Sequence, residues 1–286
     1  MKLALSLAAV LLAFSGNSLL TRAALDAELI SPPLFSAVRL FSGGFILALL
    51  VLAQRRAPWP RVADAAGSLA LFGYVAAFSF AYVVLDAGFG ALVLFGMVQV
   101  TTAGWSALRG EKASVWSRLG LVIALIGLIA LVRPGSDHGA FGPTALMAIA
   151  GISWGVYTLL GRGAGDPTQR TARNFIGASA LALILLLALP VGEMTARGAV
   201  LASLSGAVTS GLGYTLWYKV LPQLSALTAG AMQLLVPPAT LALGALLLAE
   251  TVTLSLLISG AIILGGVALT FIPPNEEAPR SDERGA

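Results

Sequence analysis

The chain has 286 residues, of which 58% are hydrophobic and only 10% are charged, and its net charge is +4. Because a soluble domain carries about 25% charged residues, this composition excludes an ordinary soluble protein. The absence of cysteine excludes disulfides and thiolate metal sites, and the one histidine, His138, gives no support for a metal site or a histidine-based catalytic site. We expect no metal, no cofactor and no enzymatic activity.

Ten apolar stretches follow one another along the chain, and each is long enough to cross a bilayer, which takes about 20 residues. Turn residues or charges separate them. Residues 1–17 share features with a signal peptide, but the apolar run continues beyond them, so we expect this segment to be retained. We predict an all-α polytopic membrane protein with helices at 3–21, 34–53, 65–85, 88–108, 115–133, 141–161, 171–190, 199–219, 224–248 and 253–272.

The distribution of lysine and arginine predicts the orientation of these helices. If the N-terminus is cytoplasmic, 13 of the 17 basic residues lie in cytoplasmic segments, three lie in outer segments, and Arg39 lies inside a helix. Positive charge accumulates on the cytoplasmic side of membrane proteins. We therefore predict a multi-pass protein of a bacterial-type inner (plasma) membrane with both termini cytoplasmic, surrounded by lipid and with no nucleic-acid partner.

The second five helices repeat features of the first five. Since five is an odd number, the second half must enter the membrane from the opposite side, which predicts an inverted repeat of the kind found in many secondary transporters. We predict one repeat at 1–136, a second at 137–274 and a disordered cytoplasmic tail at 275–286. The matching segments are 13–22 with 153–162, 39–43 with 173–177, and 108–111 with 247–250.

Polar and aromatic side chains inside the predicted helices mark a possible transport pathway, because they are costly in lipid unless they face protein or water. In the third helix, Tyr74, Phe78 and Tyr82 recur every four residues and lie on one face. The alternatives are interfacial aromatic belts for the rings and helix–helix hydrogen bonds for the amides. The candidate substrate-binding residues are Asn17, Tyr74, Phe78, Tyr82, Gln99, Trp154, Tyr157, Tyr214, Trp217 and Gln233.

Three charged residues lie inside the predicted helices or directly before them. Arg39 is the only charge well inside a predicted helix. We favour an extended side chain that reaches the lipid head groups, and the alternative is a substrate-binding or gating role. Glu111 and Glu250 precede the last helix of each repeat, where the positive end of the helix dipole stabilises an acidic side chain. We expect these two carboxylates to be structural.

The motifs of the second half resemble those of a known family. Trp154-Gly155 is followed by Arg162, and Pro237-Pro238 is followed by Glu250-Thr251 and a glycine-rich last helix. The chain is similar in these motifs to the ten-helix EamA-type members of the drug/metabolite transporter superfamily, and it resembles the YddG-like branch of aromatic amino-acid exporters. The resemblance implies a membrane transporter whose substrate is a small molecule.

The sequence thus predicts a secondary transporter that exports amino acids, with aromatic and neutral ones favoured, by alternating access around a central cavity. An aromatic solute would stack on the rings, and amides and hydroxyls would bond its polar end. We expect a small-molecule substrate, the lipid bilayer and a monomeric chain. A drug or other metabolite exporter is the first alternative, and an intramembrane enzyme or lipid-handling scaffold is a lower one.

Overall fold

A computed structural model describes residues 2–109, 114–131, 140–161, 165–223, 233–270 and 272. Within these ranges the chain forms ten long helices, joined by turns that include short 3-10 segments at Val62–Asp64 and Leu221–Gln223. The helices are α1 Lys2–Leu25, α2 Pro32–Ala53, α3 Ala65–Ala81, α4 Ala87–Leu108, α5 Val115–Leu131, α6 Phe141–Gly161, α7 Pro167–Ala188, α8 Ala196–Val220, α9 Val236–Leu247 and α10 Leu254–Leu269.

This architecture confirms the predicted all-α membrane fold. Seven of the ten helices are long and apolar enough to cross a bilayer, and α5, α9 and α10 are shorter apolar helices. Most helices begin and end within a few residues of the prediction. The predicted start of the ninth helix, at residue 224, falls in a segment outside the described residues. The predicted cytoplasmic tail at 275–286 also lies outside them.

Many large apolar side chains on the outside of the bundle are exposed, among them Leu12, Phe45, Ile129 and Leu187, the last with 89% of its surface accessible. A soluble protein rarely exposes so many large apolar residues. In a bilayer the same side chains face lipid tails, while the backbone bonds are satisfied inside each helix. The exposed apolar surface is therefore the lipid-facing surface of the protein.

The two halves of the chain pack against each other in a reciprocal pattern. Helix α3 packs on α6 and α1 packs on α8, while α2 packs on α7 and α5 on α10. If the first five helices are exchanged with the second five, the α3–α6 contact becomes the α8–α1 contact. The α2–α7 and α5–α10 contacts stay the same pairs. This is the pairing that the predicted inverted repeat requires. The boundaries of the two repeats stay a prediction.

Helix α8 is not uniform, because its middle turns, Ser205–Leu212, are π-helical. Thr209 donates its hydroxyl to the carbonyl of Ser205 at 2.9 Å within this segment. Gly206 lies so close to the backbone of Arg39 in α2 that a side chain at this position could not be accommodated without movement. A π-helical segment inside an α-helix is rare and often marks a functional site. Here it brings the polar face of α8 against α1 and α2.

Candidate functional site

The centre of the bundle contains a group of nine buried or nearly buried aromatic rings contributed by both halves, which we call the aromatic cluster. Trp154 lies in its middle, with ring-centroid distances of 4.7 Å to Tyr214, 5.0 Å to Tyr74 and 5.5 Å to Tyr157. Most contacts are edge-to-face or tilted, the arrangements that aromatic rings prefer. The cluster comprises Phe14, Tyr74, Phe78, Tyr82, Trp154, Tyr157, Phe175, Tyr214 and Trp217.

Seven of the ten predicted substrate-binding residues are thus in one place as rings of this cluster. The rings contact each other directly, so the structure represents a closed arrangement in which side chains fill the centre. The interfacial-belt alternative is not supported for Tyr82. This side chain is fully buried and donates its hydroxyl to the carbonyl of Ala87 at 3.1 Å.

Arg39 lies beside the cluster with its side chain fully buried. Its guanidinium donates to the hydroxyls of Tyr74 at 2.9 Å and Tyr214 at 3.1 Å through Nη2, and to Ser210 at 3.1 Å through Nε. It also lies 5.0 Å from the ring centroids of Tyr74 and Phe78, within the range of a cation–π interaction. The favoured prediction that Arg39 extends to the head groups is therefore wrong, because these neutral partners hold it inside the bundle.

Asn17 connects three helices next to Arg39. Its amide nitrogen donates to the hydroxyl of Tyr74 at 2.9 Å, and its amide oxygen accepts from Ser205 at 2.7 Å and Thr209 at 3.3 Å. Two roles were considered for the buried amides, a substrate contact and hydrogen bonds between helices. In this conformation Asn17 has the second role. The hydroxyl of Tyr74 accepts hydrogen bonds from both Asn17 and Arg39, so a substitution at one of these residues will alter the hydrogen bonding of the other.

Residues that correspond in the predicted repeat meet in this site. Tyr74 and Tyr214 are 140 residues apart in sequence, the offset of the first matching segment, and their hydroxyl oxygens are 3.4 Å apart. Phe14 and Trp154 are also 140 residues apart, and their ring centroids are separated by 6.1 Å. Corresponding residues of the two halves can touch only where the halves are in contact. The site therefore lies where the two halves meet.

The remaining two predicted residues, Gln99 and Gln233, lie elsewhere. Both line a small cleft between α4, α10 and the residues around the start of α9, where the open space, counted together with the solvent at its mouth, is about 230 Å³. The side-chain oxygen of Gln233 is buried without a hydrogen-bond partner among the described residues. The lining is otherwise apolar and comprises Leu92, Phe95, Gly96, Leu234, Pro237, Ile263, Leu264 and Val267.

A second polar site joins the halves at the end of the bundle predicted to face outward. Glu250 accepts from the backbone N–H of Ala87 at 2.7 Å and of Gly88 at 3.4 Å, and its carboxylate lies 3.9 Å from Arg22. Arg22 also pairs with Asp86 at 3.5 Å. Burial raises the pKa of Glu250, and the N–H bond from Ala87 partly opposes that shift.

These contacts show which part of the protein Glu250 stabilises. The carboxylate stabilises the start of α4 in the first half and not the start of its own neighbouring helix α10, which Thr253 caps by accepting from the N–H of Leu256. The position of Glu111 lies outside the described residues.

Comparisons with known proteins identify the family. Residues 143–272 match the EamA-like transporter family, and 94% of the chain aligns with 94% of an uncharacterized protein of Pseudomonas aeruginosa, PA1977, at 48% identity over 272 residues. The chain belongs to the EamA-like transporter family. The uncharacterized transporter YoaV of Bacillus subtilis is a second relative, 25% identical over 253 residues, which are 83% of this chain and 86% of its own.

The EamA assignment confirms the predicted membership in the drug/metabolite transporter superfamily and the multi-pass membrane fold. A solved crystal structure is similar with a TM-score of 0.66 and 20% identity, covering 92% of this chain and 97% of its own, which supports the fold alone. The YddG-like branch stays a prediction.

Several residues of this EamA-type site were not among the predicted ones. Phe14 is the aromatic partner of Trp154, and Ser205, Thr209 and Ser210 supply hydroxyls to Asn17 and Arg39. Ser205 and Thr209 are four residues apart and so share a helix face, a signal visible in the sequence. Ser210 is five residues after Ser205, a spacing that fits one turn of the π-helical segment. The sequence did not show that this face of α8 contacts Arg39, which lies on a helix of the other half.

Proposed function

We propose that this protein is a secondary transporter that exports amino acids, with aromatic and neutral ones favoured, across the inner membrane by alternating access around a central cavity. The observation that carries the proposal is the aromatic cluster at the contact between the two halves. Membership in a transporter family supports a small-molecule substrate.

The chemistry of the cluster suits an aromatic solute. Rings stack on an aromatic ligand for about 0.5–1.5 kcal/mol per pair beyond area burial. Trp154 alone contacts four other rings, so a ligand ring that displaced one of them would regain similar contacts. Such an exchange keeps binding reversible, as transport requires. Asn17 and the tyrosine hydroxyls would bond the polar end of the solute.

The contacts between the halves support alternating access. Glu250 of the second half binds α4 of the first half near one end of the bundle, and Arg39 of the first half binds Tyr214 of the second half deeper inside. A solute held at such a contact would become accessible to one side when the halves rock apart. In this proposal the structure represents the state that is closed at the outer end.

Export of a drug or another small metabolite is the second candidate. The cleft lined by Gln99 and Gln233 favours it, because this lining is apolar apart from two amides and so suits a ligand without a fixed charge. A phosphate-bearing solute is less favoured, since a doubly charged group needs several buried basic residues and Arg39 is the one that is fully buried in the described part of the chain. An intramembrane enzyme or lipid-handling scaffold ranks lowest, because the site offers no paired nucleophile and base.

Flux into proteoliposomes tests the proposal. A panel of labelled amino acids should give saturable flux for aromatic or other neutral members, which analogues compete and empty liposomes lack. Trp154→Ala should remove most of this flux, because it deletes the central ring. Trp59→Ala is the matched control, since Trp59 is exposed in the loop before α3 and should leave flux unchanged. Absence of flux for the whole panel, with folded protein, would shift the assignment to drug or metabolite export.

A further inference from the structure

Arg39 has no acidic partner among the residues that the structure describes. The aspartates and glutamates in this part of the chain all fall outside the ten helices. A buried charge is normally paired, because transfer out of water costs several kcal/mol even after relaxation. Arg39 is instead held by three neutral hydroxyls and two ring faces. These dipoles reduce the cost of burial but leave the positive charge uncompensated.

One side of the guanidinium is also unused. Nη1 is buried and has no hydrogen-bond partner among the described residues, while Nη2 and Nε are bonded. Arginine offers five N–H donors in a planar fork that matches the two oxygens of a carboxylate. The free donors of Arg39 and its unpaired charge are the two properties that a bound carboxylate would satisfy together.

We infer that Arg39 is the anchor for the carboxylate of the transported solute. The inference rests on the proposed function and specifies its substrate class: a small monocarboxylate with an apolar, preferably aromatic, body. The carboxylate binds Nη1 and replaces the hydroxyls of Tyr74 or Tyr214 at Nη2. The body of the solute then lies among Phe14, Trp154 and the other rings of the aromatic cluster.

The position of the two tyrosines links binding to movement. Tyr74 belongs to the first half and Tyr214 to the second, and the hydroxyls of both accept from Nη2 of Arg39. When a carboxylate takes the place of Tyr214, the bond from Nη2 that joins Arg39 to the second half is lost, and the bond from Nε to Ser210 remains. A solute without a carboxylate leaves these bonds intact and is transported poorly.

The test compares an aromatic amino acid with its carboxamide, which has nearly the same shape and no anionic oxygen, in proteoliposomes. Wild-type protein should prefer the acid in kcat/KM by roughly 10- to 100-fold, the range expected for hydrogen bonds to a charged group. Arg39→Gln should abolish this preference, and Arg39→Lys should retain part of it. Arg56→Gln is the control, since Arg56 is exposed in the loop after α2 and should keep the full preference.

Three results would overturn the inference: equal transport of acid and carboxamide by the wild type, an unchanged preference in Arg39→Gln, or a loss of preference in Arg56→Gln as well. The first comparison needs no variant, so it decides the matter even if Arg39→Gln does not fold. If the wild type transports no amino acid, the proposed function fails by itself. Thermal shift with 3-phenylpropanoate then tests the anchor: stabilisation of wild type, with a smaller shift for Arg39→Lys and none for Arg39→Gln, supports it, and no stabilisation of wild type or an equal shift for Arg39→Gln overturns it.

Discussion

The two ends of the bundle join the halves of the protein in different ways. At the outer end, Arg22 and Glu250 have only 13% and 7% of their side-chain surface exposed, and Glu250 also binds two backbone N–H groups of α4. At the inner end, Arg56 and Asp166 form a pair at 2.6 Å with 49% and 30% exposed. The inner pair is the shorter of the two, yet exposed ion pairs contribute only about 0–1 kcal/mol.

The distance between the charged atoms of an ion pair is therefore a poor guide to which end of the bundle opens first. The outer loops also pair as backbone: Ile30 and Met194 form an isolated antiparallel bridge, and Thr195 donates its N–H to the carbonyl of Leu29 at 2.8 Å. A buried, multiply bonded carboxylate leaves several groups unsatisfied when it separates, whereas an exposed pair is replaced by water. We therefore expect the inner end to open at lower cost.

The largest effect should come from Glu250→Ala. This change leaves the N–H groups of Ala87 and Gly88 without their acceptor, which costs about 1–3 kcal/mol, and it removes one of the carboxylates near Arg22. The apparent unfolding temperature of the purified protein should fall clearly. Arg56→Ala is the matched control at the inner end and should change it little, because it removes only the exposed ion pair with Asp166. Equal losses for the two variants would contradict the comparison.

Labelling of single cysteines should show a smaller but more direct difference. The chain has no cysteine, so the natural protein already provides the background. Gln99→Cys, in the cleft, should react several-fold faster with a maleimide than Thr21→Cys, which is buried near the outer end of α1. Substrate should increase labelling of Thr21→Cys if the outer end opens during transport. Fast labelling of Thr21→Cys without substrate would show that the outer end is already open.

The smallest effect should be the pH dependence of Glu250→Gln. Burial raises the pKa of Glu250 above its usual 4.5, so the folded state favours the protonated form. That contribution is fully present below the unfolded pKa and is lost as pH rises through the folded pKa. The unfolding temperature of the wild type, relative to Glu250→Gln, should therefore fall as pH rises from about 4.5. A constant difference across this range would contradict the raised pKa.

Much of the fold follows from the sequence because lipid leaves little choice. Backbone groups in a bilayer must bond within their own segment, so an apolar run of sufficient length becomes a helix wherever it packs. The start of α6 at Phe141 and the end of α4 at Leu108 coincide with the prediction for this reason. The rings of α3 were likewise placed on one face by their four-residue spacing alone.

The contacts between helices were decided by the tertiary structure. Arg39 gives no sequence signal that distinguishes a buried guanidinium from one that reaches the head groups, and only the close crossing of α2 and α8 at Gly206 brings Tyr214 and Ser210 to it. Gln99 looked equivalent to Asn17 in sequence and lies in a different cleft. Glu250 precedes α10 and stabilises α4. Helix formation is a local property of each segment, whereas these pairings depend on crossing angles and distances that no single segment contains.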